Sequence, residues 1–120
     1  LLRKRNIMYN STFLIGRLVR DPEYRLTSSG IAVCRFTLAI NKIKSDDADF
    51  LRIVTWRRLA EICSQYLKKG KLVAIEGRLQ IESYVKDGIE RESVEIIADN
   101  MQMLDRGVEM PTEQTQENFA

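Results

Sequence analysis

Hydrophobic and polar residues alternate along the run FLRIVTWRR, residues 50–58, and this alternation predicts a β-strand. Successive strand side chains point to opposite faces, so Phe50, Arg52 and Trp56 share one face, while the other face is apolar enough to lie on a core. Exposed rings with a cation between them suit a single-stranded nucleic acid, whose bases stack on aromatic side chains and whose backbone is anionic. The strand fits a second interpretation equally well, in which both faces are buried and the rings belong to the core.

The rest of the pattern predicts four more strands and one helix. The strands are expected over residues 12–20, 31–41, 71–85 and 89–104. Asp87-Gly88 predicts the tight turn between the last two strands. An amphipathic helix between the third and fourth strands is expected to hold Lys68 and Lys69 in its last turn, with Gly70 in the C′ position just after the helix. Three strands, one helix and two strands form the layout of the OB-fold, an all-β, five-stranded Greek-key barrel with its helix between strands 3 and 4.

The fourth predicted strand has one apolar face, which is expected to line the barrel interior: Val73, Ile75, Gly77, Leu79 and Ile81. The outer face alternates with it and carries Arg78 and Tyr84. A glycine inside a strand predicts a bend or bulge, so Gly77 marks the place where the barrel should curl.

The length and composition indicate a single globular domain. With 120 residues, 44% hydrophobic and 30% charged, the chain is large enough for one core and too apolar to be wholly disordered. The net charge of +2 does not by itself indicate a polyanionic partner. We interpret residues 1–7 as an N-terminal extension whose native or foreign origin the sequence leaves open. Residues 8–105 should then form the folded domain and residues 106–120 a flexible polar tail.

The sequence offers little for catalysis, so we expect a protein without a cofactor that is not an enzyme. It contains no histidine, which is the commonest general base and metal ligand, and no Walker A motif for phosphate. Asp46, Asp47 and Asp49 lack the glycine and terminal glutamate of a calcium loop, so no metal site is predicted. Cys34 and Cys63 recur with apolar neighbours, and free buried thiols fit a reducing cytoplasm. No apolar run has the length needed to span a membrane.

Four segments resemble, in order, parts of the bacterial single-stranded DNA-binding proteins: VRDPEYR (19–25), IVTWRRLAE (53–61), YLKKGKLVAIEGRL (66–79) and MQML (101–104). The similarity runs from about Met8 to Leu104 and includes the turns and the lengths of the helix and strands. The resemblance implies an OB-fold protein, usually a homotetramer, that coats and protects single-stranded DNA during replication, recombination and repair. It would act by base stacking and phosphate contacts, without chemistry.

The resemblance also implies a binding site. The DNA-stacking aromatic residues of the family match Phe50, Trp56 and Tyr84. The candidate phosphate contacts are Arg17, Arg25, Arg52, Arg58, Lys69 and Arg78. Arg52 is expected between the rings, and Arg58 is expected on the same side if the strand continues that far.

Three departures from the resemblance limit what it implies. A further family aromatic residue would fall near Lys44, in a connection that is shortened and acidic here, so that stacking platform is lost. Glu82 and Ser83 stand where the family has basic residues, so a lower phosphate affinity or a different DNA path is expected. The end TEQTQENFA lacks the acidic tip by which the family recruits replication and repair enzymes. Either the chain was cut short or it is a tail-poor paralogue, so recruitment of such partners is in doubt.

Two other functions remain open at this point. An OB-fold protein that prefers RNA, or that works in primosome assembly, would carry the same rings, because stacking tolerates either sugar. A protein-interaction module without nucleic-acid binding would also expose arginine and aromatic residues. In either case the apolar residues on both faces of TFLIGRLV favour self-association.

Overall fold

Residues 8–105, the part of the chain that this computed structural model describes, form six β-strands and one helix. In chain order these are β1 (Thr12–Leu18), β2 (Glu23–Leu26), β3 (Ala32–Asn41), β4 (Ala48–Trp56), α1 (Arg57–Tyr66), β5 (Leu72–Lys86) and β6 (Ile89–Met103). The predicted N-terminal extension and polar tail lie outside the described residues. Between residues 8 and 105 no helix is long and apolar enough to cross a membrane.

The prediction of five strands is wrong, because the structure has six in its described part. The additional strand, β2, spans only four residues, all of them exposed, which is too short a run for alternation to reveal. It forms by pairing antiparallel along β3, from Glu23 opposite Arg35 to Leu26 opposite Ala32. A strand this short is determined by its neighbour rather than by the β-propensity of its own residues.

β1 closes the sheet into a barrel, because it pairs antiparallel with both β5 and β3. The strand order is β1-β5-β6-β4-β3-β2, in which β4 and β6 are parallel and the other neighbours antiparallel. α1 connects β4 to β5 and packs mainly against β3. This arrangement confirms the predicted all-β OB-fold, with its helix directly after the strand that carries the rings.

The core lies inside the barrel, where inward side chains of the strands meet the buried face of α1. β3, β4, β5 and β6 each contribute one large, fully buried side chain: Leu38, Ile53, Ile75 and Ile96. Burying one such side chain contributes roughly 1.5–3 kcal/mol to folding. Cys34 and Cys63 are free and fully buried in the same core, which confirms their predicted place.

Burial of the two thiols predicts a loss of stability at alkaline pH. Loss of hydration raises the pKa of Cys34 to about 11 and the pKa of Cys63 to about 12, from an ordinary value of 9.0. Below pH 9 the thiols are protonated in the folded and the unfolded chain alike, so the raised pKa values take nothing from stability. Above it only the unfolded chain releases these protons, so the free energy of unfolding should fall, by up to about 1.4 kcal/mol per pH unit for each thiol.

Urea unfolding of the wild type and of Cys63→Ala, followed from about pH 8 to about pH 11, checks this expectation. The variant should lose stability less steeply over this range, because one of the two buried thiols is gone. Equal slopes for the two proteins would contradict the assignment.

α1 ends earlier than the sequence predicts. Its last residue is Tyr66, and Leu67 continues in an extended conformation with its side chain buried in the core. Lys68 and Lys69 therefore lie beyond the helix, and the prediction that they form its last turn is wrong. Gly70, at φ +89°, belongs to the turn that follows. Helical spacing detected the buried side chain of Leu67, but an extended residue can bury its side chain equally well.

β5 and β6 continue beyond the barrel as a two-stranded hairpin, which we call the arm (residues 79–94). β1 pairs with β5 only as far as Gly77. Beyond that point the side-chain amide of Asn10 donates a hydrogen bond to the carbonyl of Leu79 at 2.8 Å and accepts one from its N–H at 2.9 Å. Leu79 and Ile81 are 40% and 54% exposed, and the prediction that they line the barrel interior is wrong. Alternation could not reveal this, because the apolar face continues unchanged past the end of β1.

Both backbone irregularities predicted for the last two strands are confirmed. The register of β5 and β6 shifts between Glu76 and Gly77, which is the expected bulge. A Cβ added at Gly77 would lie 2.1 Å from the carbonyl oxygen of Ile97, so only glycine fits. Asp87 and Gly88 have φ values of +56° and +76°, as in the type I′ turn that closes two-residue hairpins.

Candidate nucleic-acid interface

The outward side chains of β3, β4, β6 and β5 form one continuous surface, because residues in register across a sheet point to the same side. β4 lies at its centre, where Arg52 is opposite Thr37 of β3 on one side and Glu95 of β6 on the other. We call this surface the outer face, and its residues in that strand order are Val33, Arg35, Thr37, Ala39, Phe50, Arg52, Val54, Trp56, Arg91, Ser93, Glu95, Ile97, Arg78, Gln80, Glu82 and Tyr84.

Trp56 and Phe50 are exposed on the outer face. The accessible fraction is 38% for Trp56 and 64% for Phe50. Between them on β4, Val54 is only 1% exposed and packs with Val33 and Ile97 in a small apolar cluster, separate from the barrel core. The interpretation in which the rings belong to the core is therefore wrong, and they remain available for contact with a ligand.

Trp56 lines an open groove of about 490 Å³ together with Tyr84 and Arg78. We call it the ring groove, and its other lining residues are Arg35, Val54, Gln80, Glu82, Ser83, Ser93, Glu95 and Ile97. The groove brings together two of the three predicted stacking residues and one of the predicted phosphate contacts.

A second groove of about 540 Å³ extends across β3 towards the connection between β1 and β2. Three arginines line this arginine groove, namely Arg20, Arg35 and Arg52. Its other lining residues are Asp21, Pro22, Glu23, Phe36, Thr37 and Glu95. Since Arg35 and Glu95 line both grooves, the two form one track along the outer face.

Arg35 and Arg52 carry positive charge that no carboxylate of the described chain neutralises at close range. Neither forms an ion pair within 4.0 Å among residues 8–105. Arg78 and Arg25, by contrast, are each held by an exposed carboxylate, at 2.9 Å and 3.0 Å. Exposed pairs of this kind contribute only about 0–1 kcal/mol, so replacing the carboxylate by a phosphate costs little.

Two further predicted contacts lie at the borders of this surface. Phe50 stands on the outer face opposite Ala39 but lines neither groove. Arg25 of β2 is opposite Val33, which in turn is opposite Trp56, so it shares a row of the sheet with the tryptophan. Both positions are compatible with contact to a strand longer than the grooves.

Besides Arg25, three more predicted phosphate contacts line neither groove: Arg17, Arg58 and Lys69. Arg17 donates a hydrogen bond to the carbonyl of Gly70 at 2.9 Å and pairs with Asp105 at 3.3 Å. Lys69 lies in the connection that follows α1. Their contact with phosphate stays a prediction that the grooves do not support.

Arg58 does not lie on the outer face beside Trp56, because β4 ends at Trp56 and not at residue 58 as the sequence predicts. Arg57 has φ +59°, in the left-handed region that is rare for residues other than glycine, and there the chain turns from the strand into α1. Arg58 therefore lies in the first turn of the helix, where it pairs with Glu61 at 3.7 Å. The expectation that it continues the strand beyond Trp56 is wrong.

Sequence analysis missed Arg35 and Glu95, the two residues that line both grooves. For Arg35 the signal was present, because this residue alternates with buried apolar residues in the predicted strand 31–41 and so had to point outward. Only the register shows that this outward side is the surface of the rings, since Arg35 lies opposite Val54 of β4.

A closed OB-fold barrel with exposed rings and unneutralised arginines along one open face is the arrangement of proteins that bind single-stranded nucleic acids. Comparison with known families narrows this class. The Single-strand binding protein family matches residues 9–104, and the chain belongs to that family.

Named relatives agree with this membership. The single-stranded DNA-binding protein of Halalkalibacterium halodurans is 42% identical over 119 residues, which cover 93% of this chain and 71% of the relative. Single-stranded DNA-binding protein 1 of Staphylococcus aureus strain Mu50 is 43% identical over 104 residues, 82% of this chain and 67% of the relative. The single-stranded DNA-binding protein of Treponema pallidum is 45% identical over 101 residues, 79% of this chain and 57% of the relative.

Proposed function

We propose that the protein binds and protects single-stranded DNA without reading its sequence, and that it serves replication, recombination and repair. The observation that carries this proposal is the exposure of Trp56 beside Tyr84 in a groove that continues past Arg35 and Arg52. Relatives at 42–45% identity are named for the same activity. The protein would work in the cytoplasm, with no catalytic step and no cofactor.

In this mechanism the arginines of the outer face attract the DNA backbone and the rings then hold the bases. Stacking on Phe50, Trp56 and Tyr84 contributes roughly 1–3 kcal/mol for each base. Every base has a π-face, so this contribution does not depend on sequence. Glu82 and Glu95 also line the ring groove and repel phosphate, which confines the backbone to the arginines.

A competition titration tests the proposal. Unlabelled oligo-dT should displace a labelled oligo-dT of the same length far better than duplex DNA does, because paired bases cannot reach the rings. Affinity should fall with salt, with a log–log slope of roughly 0.7 for each phosphate contacted, and the carboxylates on the outer face predict a modest total. Stronger displacement by oligo-rU would favour the RNA-binding alternative, and binding that is independent of salt would contradict the role of the arginines.

We also propose that the protein assembles with itself, as a homotetramer. Phe13 and Ile15 on β1 are 59% and 47% exposed, and the arm exposes further apolar side chains: Leu79, Ile81, Val85, Ile89 and Val94. Apolar surface on one strand and along a projecting hairpin is suited to burial between copies.

Light scattering at micromolar concentration should give four times the chain mass of 13.9 kDa. Ile15→Ser should lower the mass of the assembly, because it places a hydroxyl in the proposed contact. Ile43→Ser is the matched control, since Ile43 is 98% exposed on the β3–β4 connection and should leave the mass unchanged. A mass of one chain at every concentration would refute self-association.

A further inference from the structure

Arg57 has a backbone conformation that an arginine does not favour. Its φ of +59° lies in the left-handed region, where the Cβ of any residue other than glycine comes too close to the following carbonyl oxygen. Among residues 8–105 only one other residue with a side chain, Asp87, has a positive φ, and a short polar side chain in a hairpin turn tolerates it better. A glycine would occupy position 57 without strain. The turn from β4 into α1 therefore does not explain why an arginine stands there.

The charge of Arg57 is also unfavourable for folding. The residue lies in the first turn of α1, at the positive end of the helix dipole, and that turn contains no acidic residue. Within the described residues its guanidinium forms no ion pair inside 4.0 Å. Since Arg57 is also exposed, neither packing nor a charge partner in this part of the chain accounts for a cation at this position.

Arg57 directly follows Trp56, at the end of the strand that carries two of the rings. Thr55, two residues before Arg57, is fully buried, so a continued strand would turn Arg57 towards the core. The left-handed turn leaves Arg57 exposed instead. In a single strand, phosphates flank every base along the backbone, so a base on the ring of Trp56 brings phosphates close to the next residue.

We propose that Arg57 binds the phosphate next to the base that stacks on Trp56, and that this contact is the reason for an arginine in a strained, exposed position. A guanidinium is suited to the role, because it can donate two parallel hydrogen bonds to phosphate oxygens. This inference rests on the proposed function and deepens it by adding a phosphate contact beside the ring groove. It also predicts that replacing Arg57 has opposite effects on folding and on binding.

Urea unfolding tests the effect on folding. Arg57→Gly should raise the midpoint of unfolding above that of the wild type, because glycine adopts the left-handed conformation without strain and places no cation at the start of the helix. Arg57→Gln loses the charge but keeps the strain, so its midpoint should rise less. A midpoint below the wild type for Arg57→Gly would contradict the strain and with it the inference.

Fluorescence anisotropy of a labelled oligo-dT, measured over a range of salt concentrations, tests the effect on binding. Arg57→Gly and Arg57→Gln should each weaken binding roughly two- to fivefold at low salt. Each should also lower the log–log salt slope by about 0.7, the value for one phosphate contact. Arg57→Lys keeps the charge and should keep the slope. Lys68→Gln is the matched control, because Lys68 is an exposed cation beyond α1 that lines neither groove, and it should leave the slope unchanged.

The fluorescence of Trp56 separates a phosphate contact from an effect on the ring. At saturating oligo-dT, quenching in Arg57→Gln should equal that of the wild type, because the ring stays on β4. Weaker quenching at saturation would show that Arg57 acts by positioning the ring, and would overturn the phosphate contact. Wild-type salt slopes in both neutral variants, or an equal decrease in Lys68→Gln, also overturn the inference while the proposed function stands. A wild type that does not bind oligo-dT overturns both.

Discussion

Trp56 fluorescence should fall strongly when oligo-dT is added, because a base stacked on this ring quenches the only tryptophan of the chain. Trp56→Ala should abolish the signal and weaken binding by roughly 1–3 kcal/mol, which is about 5-fold to 150-fold in the dissociation constant. The loss is measured by the fluorescence anisotropy of a labelled oligomer. Phe50→Ala should also weaken binding, while keeping the tryptophan as its own reporter.

Thermal melts separate lost binding from lost folding in this experiment. Because 38% of Trp56 is exposed, Trp56→Ala should stay folded and lose less stability than the roughly 3–5 kcal/mol that truncating a core tryptophan costs. Tyr24→Ala is the matched control, since Tyr24 is 42% exposed but lies opposite Cys34, on the other side of the sheet. Binding without quenching, or a Trp56→Ala protein that unfolds, would remove this residue from the site.

Gly77→Ala should cause the largest loss of folding stability among single substitutions outside the core. The added Cβ would lie 2.1 Å from the carbonyl oxygen of Ile97 and 2.9 Å from the Cα of Ala98, both in the backbone of β6. A backbone cannot rotate away as a side chain can, so β5 and β6 must separate where the barrel closes. We expect a loss of about 3 kcal/mol in the free energy of unfolding, measured with urea.

Gly30→Ala distinguishes crowding from backbone strain in the same measurement. Gly30 has φ +83°, but nothing lies within 4 Å of the Cβ that alanine would add. The cost should therefore be only that of the left-handed conformation, about 1 kcal/mol. Equal losses for the two variants would show that the close approach of β5 and β6 is not what requires glycine at position 77.

Local signals predicted much of this fold and part of the site. Asp87-Gly88 is a pair that readily adopts the backbone conformation of a tight turn, and a glycine inside a strand such as Gly77 is typical of a bulge. The sequence alone therefore located both features. Alternation placed Phe50, Arg52 and Trp56 on one face, and the structure keeps them there. These features depend on spacing along a single strand, which a sequence displays directly.

Features that depend on another strand could not be predicted. β2 exists through its pairing with β3, and Leu79 is exposed in the part of β5 that lies beyond its pairing with β1. Arg58 lies in the helix and not in the strand because Arg57 adopts a left-handed backbone conformation. An arginine in the sequence gives no indication of such a conformation. Arg35 joined the site only through register with Val54. Each of these outcomes is set by contacts between segments far apart in the chain.

The two aromatic residues of the ring groove, Trp56 and Tyr84, lie on strands that differ in rigidity. Trp56 belongs to β4, which lies between β3 and β6 in the barrel, whereas Tyr84 is carried by the arm, where β5 has only β6 beside it. A two-stranded ribbon twists and bends more readily than a strand inside a closed sheet. If both rings stack on bases, as we propose, the groove has one wall fixed in the barrel and one wall on the more compliant arm, which would let it fit a pyrimidine or a purine. Tolerance of base size would then come from the elasticity of the arm and not from the chemistry of any side chain.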